Sequence, residues 1–147
     1  MNYNQLFSSF HDQQIIVALI GAGQFGETFI RQCRRISGMQ ISLVCDLQPE
    51  RARAALLAAG YDNSAFVSVG SNEEAATALN NGQIIITADY RLISGLPLDC
   101  VVEATGSPEA AAQVGQITLM SGFHLVMITK EADLSLIHIS EPTRPLY

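Results

Sequence analysis

The sequence is short of charge, of basic residues and of cysteine, and each shortage excludes something. Charged residues make up 15% of the 147, against a usual share near ~25%, which excludes a disordered tail or a coiled coil. Lys and Arg number 8 against 14 Asp and Glu, a net charge of −6. A surface of that sign does not track a polyanionic backbone, so no nucleic acid is expected as a partner. A small phosphorylated ligand stays open, because one helix end can hold it. The three cysteines, Cys33, Cys45 and Cys100, are odd in number, lie 12 and 55 positions apart and form no CxxC. That arithmetic fits neither a disulfide framework nor a zinc site, so no metal is expected and buried thiols in a reducing cytosol are. No apolar run approaches the ~20 residues that span a bilayer. The opening MNYNQLFSSFHDQQ lacks the basic start and apolar stretch of a signal peptide. A soluble cytoplasmic protein without a membrane partner is expected. No GxxxxGK[ST] occurs, which removes a P-loop.

What the sequence has is apolar residues, 48% of the total, in short runs bounded by turn residues. Ile15–Ile20 (IIVALI), Ile41–Cys45 (ISLVC), Ile84–Thr87, Leu98–Glu103 (LDCVVE) and His124–Ile128 (HLVMI) read as strands buried on both faces, with a shorter one at Phe66–Val69. Helices are expected between them. One follows Gly26 with Thr28, Phe29, Ile30 and Cys33, and carries Arg31, Arg34 and Arg35 in its last turns, where cations suit the dipole. Others run from Pro49 to Gly60, from Glu73 to Leu79, and from Ser107-Pro108, a cap followed by a first-turn proline, to Gly122. Tyr90–Ile93 reads as a single turn of helix, and Leu6, Phe7 and Phe10 as anchors in a loose lead-in. Alternating strands and helices demand right-handed crossovers between parallel strands. The expected fold class is α/β, a Rossmann-type doubly wound parallel sheet, here C-terminally truncated.

The sharpest motif is Gly21-Ala22-Gly23-Gln24-Phe25-Gly26, set between a strand and a helix. Gly21 permits the turn off the strand, Gly23 lets a pyrophosphate approach the backbone, and Gly26 lets the helix pack on the first strand. The amides of Gln24 and Phe25 sit at the positive end of that helix, an anion site. Asp46 ends the second strand 20 residues after Gly26, where a carboxylate accepts the hydroxyls of an adenosine ribose. The plain alternative is a glycine turn with Asp46 as a helix cap. S-adenosylmethionine methyltransferases also place an acid there and remain a competitor, though they give no reason for the third glycine. The cofactor is NAD or NADP: Asp46 repels a 2′-phosphate, whereas Arg51 or Arg53 can hold one unless both merely face solvent. Thr105 and Gly106, in the turn after LDCVVE, are placed to line the nicotinamide ribose, unless Thr105 or Ser107 only caps the next helix. Lys130 follows the last strand at the same sheet edge, within reach of a ribose or substrate oxygen, or on the surface. Tyr90 and His124 read as structural.

Leu134 to Arg144 reads LSLIHISEPTR, which matches in order the eleven-codon translation of a transposase adapter used in sequencing libraries. The expectation is therefore a dinucleotide-binding domain over residues 1–133 and a non-native tail over 134–147, which leaves His138 and Glu141 out of the candidate ligands and catalysts. A natural C-terminal tail is the alternative.

With GAGQFG, Asp46, VVEATGSPEAA and HLVMITKEAD in place, the chain from about Ile15 to Asp133 resembles the N-terminal domain of homoserine-dehydrogenase-like oxidoreductases. That family includes relatives in activity of 1-deoxy-D-xylulose 5-phosphate reductoisomerase and often carries a C-terminal SAF domain. The resemblance implies hydride transfer with NAD(P), a small-molecule substrate and a homo-oligomeric full-length protein. It also implies that Lys130 matches a lysine near the cofactor, although Thr129 stands where homoserine dehydrogenases have an asparagine. Their substrate and catalytic residues belong to a second domain, so the catalytic residues are unknown and this chain alone is expected to be inactive. A stand-alone dinucleotide-binding or redox-sensing module is the competing reading.

Overall fold

The computed structural model describes residues 13–130. The lead-in anchors Leu6, Phe7 and Phe10, the boundary at 133 and the 134–147 tail lie outside the described residues. The elements run β1 (Ile15–Ile20), α1 (Gln24–Cys33), β2 (Met39–Cys45), α2 (Pro49–Ala58), β3 (Phe66–Ser68), α3 (Asn72–Asn80), β4 (Ile84–Thr87), β5 (Cys100–Glu103), α4 (Pro108–Met120) and β6 (His124–Met127). Short 3₁₀ turns cover Asn63–Ala65 and Tyr90–Gly95.

All pairings are parallel and the sheet order is β3-β4-β2-β1-β5-β6. Without the short edge strand β3, this is the 3-2-1-4-5 order of a doubly wound sheet, whose connections reverse direction on either side of β1. The fold is therefore the Rossmann-like α/β class expected from the strand–helix alternation.

Apolar runs rather than alternation were the signal for these strands, and the core shows why. In β1, Val17 and Leu19 pack with Ile30, Val44, Leu56 and Ile86, while Ala18 and Ile20 pack with Leu43, Ile85, Val101 and Val114. Both faces of the central strands are dry, so neither face has a place for a polar residue. Thr87 and Glu103 are buried polar residues at the last positions of β4 and β5, and within a strand the buried polar residue is Ser42. It is the extra residue of a bulge, since Val17 pairs with Ile41 and Ala18 with Leu43. β6 lies at the edge, where His124 and Val126 are exposed and Leu125 and Met127 are partly covered.

The helix ends follow local chemistry. Ser71 Oγ accepts the Glu74 amide at the start of α3 (3.2 Å), and Glu74 Oε2 accepts the Gly70 amide (2.8 Å). Arg34 departs from the dipole reading made for α1. Its guanidinium lies over the Tyr61 ring and donates to the Ala59 carbonyl at 2.7 Å, so it caps the end of α2 and docks the two helices together.

Candidate functional site

The loop between β1 and α1 is set by two close approaches. Gly21 has φ +103°, and a Cβ there would strike the Ala104 carbonyl oxygen in the turn after β5. A Cβ on Gly26 would strike the Gly21 carbonyl and come within 3.4 Å of Leu19 Cδ2, so its absence seats α1 on β1. Gly23 differs from both. A Cβ there would meet only the Arg51 guanidinium, at 3.5 Å. Among the described residues no contact requires this glycine.

Gly23 is also the N-cap of α1, and no side chain caps the helix. The first amides of a helix have no intrahelical acceptor, and they carry the positive end of its dipole. Gln24 and Phe25 bring their amides to this end. The Phe25 ring is partly exposed and stacks on Phe29, with centroids 6.2 Å apart.

Asp46 faces this loop from the end of β2. It is 9% exposed. The Ala22 amide donates to its Oδ2 and the Gln48 amide to its Oδ1, both at 2.8 Å. The carboxylate thus ties the glycine loop to β2 and opens the turn into α2. A carboxylate has about four acceptor positions; two are taken here, and the others remain for a ligand's hydroxyls.

A cleft of about 270 Å³ opens at the carboxyl ends of β1, β2 and β5, between Gly21, Asp46, Leu47, Gln48 and Arg51 on one side and Thr105, Ser107 and Ala110 on the other. A groove of about 490 Å³ past Gly23, Gln24 and Glu27 adjoins it, and Arg51 borders both. Among the described residues the Arg51 side chain has no ion pair, whereas Glu27 pairs with Arg31 at 2.9 Å. Arg53, the other arginine considered for a 2′-phosphate, lies over the Phe66 ring and beside Glu50 and does not line the cleft.

Of the remaining candidates, Thr105 lines the cleft, but its hydroxyl donates to Glu103 at 2.7 Å. Gly106 has φ +72° and its amide donates to Thr129 Oγ1 at 3.1 Å. Ser107, not Thr105, caps α4 by accepting the Ala110 amide at 3.4 Å. Lys130 is exposed, next to the buried Thr129, and is not among the residues lining the cleft.

Two residues of this region escaped the sequence reading of the site. Leu47, 90% exposed, offers the cleft an apolar surface; its signal was an apolar residue directly after the acid that ends an apolar strand. Tyr90 also lines the cleft, and its hydroxyl donates to Gln113 at 2.6 Å. Glu103, the first residue of the ligand-facing segment Glu103–Pro108 expected from sequence, is instead fully buried at the end of β5.

Cys45 borders the cleft as a neutral thiol, since burial first, then the charges of Asp46 and Asp89, push its pKa to about 12. It is no nucleophile at neutral pH. Asp89 is held below the usual carboxylate range chiefly by its hydrogen bonds from the Arg91 guanidinium, at 2.8 and 2.9 Å. Among the described residues no group of three or more His, Cys, Asp or Glu is arranged to hold a metal ion, and no helix is long and apolar enough to cross a membrane.

Residues 16–93 match the model of the family described as NADP oxidoreductase coenzyme F420-dependent. No curated protein sequence matches the chain. Among solved structures, myo-inositol dehydrogenase from Lactobacillus casei, in complex with NAD(H) and myo-inositol, is similar with a TM-score of 0.57 at 17% identity, over 78% of this chain and 28% of that one. An oxidoreductase from Klebsiella pneumoniae gives 0.55 at 20% identity, over 87% and 32%. RSP, a Rex-family repressor, gives 0.51 at 13% identity, over 92% and 63%. At these identities the likeness is one of fold, and the chain spans less than a third of the length of the two enzymes.

Proposed function

Since the chain belongs to the family NADP oxidoreductase coenzyme F420-dependent and forms a Rossmann-like NAD(P)-binding domain like those of oxidoreductases, we propose that it is the cofactor half of a homoserine-dehydrogenase-like enzyme. The pyrophosphate lies over Gly21–Gly26 against the amides of Gln24 and Phe25. The adenosine ribose takes the spare acceptor positions of Asp46. Thr105, Gly106 and Lys130 border the nicotinamide ribose. The nicotinamide supplies the hydride chemistry when bound, and the chain supplies binding and orientation. A small-molecule substrate and the groups that move its protons belong to a further domain, in a full-length protein that is a homo-oligomer.

The observation that carries this reading is the space at Gly23. The loop is held on both sides, by Asp46 and by the Ala104 turn, yet a side chain at 23 would meet only one flexible guanidinium tip. A glycine that the fold does not need is explained by a ligand that comes close to the backbone. Asp46, with both oxygens already accepting amides, is fixed in place at the ribose position. It disfavours a 2′-phosphate, while Arg51 beside it softens that preference, so NAD binds more tightly than NADP and both bind.

Calorimetric titration of the chain with NAD⁺, NADP⁺ and S-adenosylmethionine tests the proposal. Dinucleotide binding with NAD⁺ the tighter is expected. Tight S-adenosylmethionine binding with no dinucleotide binding would overturn it.

A further inference from the structure

Glu103 ends β5 at 0% exposure and takes no part in the site as proposed. Its oxygens accept four hydrogen bonds. The Thr105 amide, the Thr105 hydroxyl and the Thr129 hydroxyl donate to Oε1 at 2.7, 2.7 and 2.8 Å, and the Thr129 amide donates to Oε2 at 3.2 Å. Two of these donors are amides, which can only donate. Each of the two hydroxyls also accepts a backbone amide, and the Thr105 hydroxyl has a longer second contact to the Ser107 carbonyl at 3.3 Å. Ser107 N–H donates to Thr105 Oγ1 at 3.2 Å, and Gly106 N–H to Thr129 Oγ1 at 3.1 Å. Glu103 thus serves as an acceptor four times over.

The four bonds join two segments that are far apart in sequence. One is the turn Thr105-Gly106-Ser107 after β5, which forms the cleft wall opposite Asp46; the other is the residue directly before Lys130. The Ala104 backbone at the start of that turn is also what Gly21 packs against. One buried side chain therefore fixes the far wall of the cleft and the root of Lys130 together. Backbone held in this way cannot relax into other turns when no ligand is present, and a wall built in advance lowers the ordering cost of binding.

We infer that Glu103 is a positioning residue for the nicotinamide half of the dinucleotide, acting through Thr105, Gly106 and Thr129 without touching the ligand. The inference rests on the proposed function, and its specific consequence is that the two halves of the cofactor respond differently to its loss. The adenosine half depends on Asp46 and the glycine loop, whereas the nicotinamide half depends on the Glu103 clasp.

The test compares NAD⁺ with AMP as probes on the intact chain and on the variants Glu103→Gln, Thr129→Val and Thr129→Ser. Thr129→Val keeps size and apolar packing while removing one bond to Glu103 and the acceptor for the Gly106 amide, so it reads the clasp even where Glu103→Gln unfolds. NAD⁺ affinity is expected to fall about tenfold in Thr129→Val, the scale of one hydrogen bond to a charged group. AMP affinity should stay within about twofold of the parent's, since additive effects are expected at sites without shared partners. Thr129→Ser, which restores the hydroxyl, should recover NAD⁺ binding. NAD⁺ binding unchanged in Thr129→Val, or equal losses for NAD⁺ and AMP, would overturn the positioning role alone. A parent chain that binds AMP but no dinucleotide would overturn the functional reading and this inference with it.

Discussion

Two buried carboxylates stand on either side of β1, at the carboxyl ends of β2 and β5, and the chain uses them in opposite ways. Asp46 accepts two backbone amides and keeps acceptor capacity toward the cleft. Glu103 accepts four donors and, fully buried, presents no acceptor to the cleft. Both anchor a loop at the point where the sheet's connections reverse direction, so both belong to the frame of the site. Only the first has chemistry left over. An acid at the end of a parallel strand is thus not by itself a ligand group, and the number of its bonds already made within the protein tells the two kinds apart.

The comparison breaks most visibly in stability. Glu103→Ala strands the amides of Thr105 and Thr129 and the Thr129 hydroxyl, each costing about 1–3 kcal/mol when unsatisfied. Even after local relaxation, a loss of about 3 kcal/mol or more is expected in urea unfolding. Asp46→Asn retains one acceptor oxygen and lies nearer solvent, so its unfolding cost should be clearly smaller. Its larger effect is on ligands: NAD⁺ binding weakens by about 1.5–3 kcal/mol, the worth of a hydrogen bond to a charged group, and discrimination against NADP⁺ shrinks. Equal unfolding costs for the two variants would remove the distinction between them.

The smallest effect at neutral pH sits beside Asp46, in Cys45. Its pKa rises from 9.0 unfolded to about 12 folded, and that of Cys33 to about 11. The folded state therefore holds these protons more tightly than the unfolded state does. Their contribution to stability is complete below the unfolded pKa of 9.0 and is lost as pH rises through the folded values of about 11 and 12. Denaturation followed from pH 8 to 11 should show stability falling above about 9, less steeply in Cys45→Ala. A flat profile would contradict the burial of these thiols.

Much of the fold was legible because the signals were local. Ile15–Ile20 and Ile84–Thr87 are strands over the residues expected, and Pro49 and Pro108 each open a helix. The glycine loop was legible for the same reason, since its context is a strand and a helix adjacent in sequence. What sequence left hidden depends on contacts between distant residues. The Glu103 clasp joins residues 26 positions apart, and its only sequence trace is an acid ending an apolar strand with a threonine soon after each of two strands. Arg34 looked like a dipole partner for its own helix and instead caps the next one, a choice made by the docking of α1 on α2. Arg51 and Arg53 were equivalent in sequence. The phase of α2 separates them, sending one to the cleft border and the other over Phe66.

The central claim is that Gly23 is kept free for a dinucleotide rather than for the fold, and Gly23→Val tests it most directly. Thermal unfolding of the variant, paired with NAD⁺ titration, should show a Tm close to the parent's and no measurable binding. A variant that still binds NAD⁺ like the parent would contradict the account, as would one that loses binding only because it no longer folds.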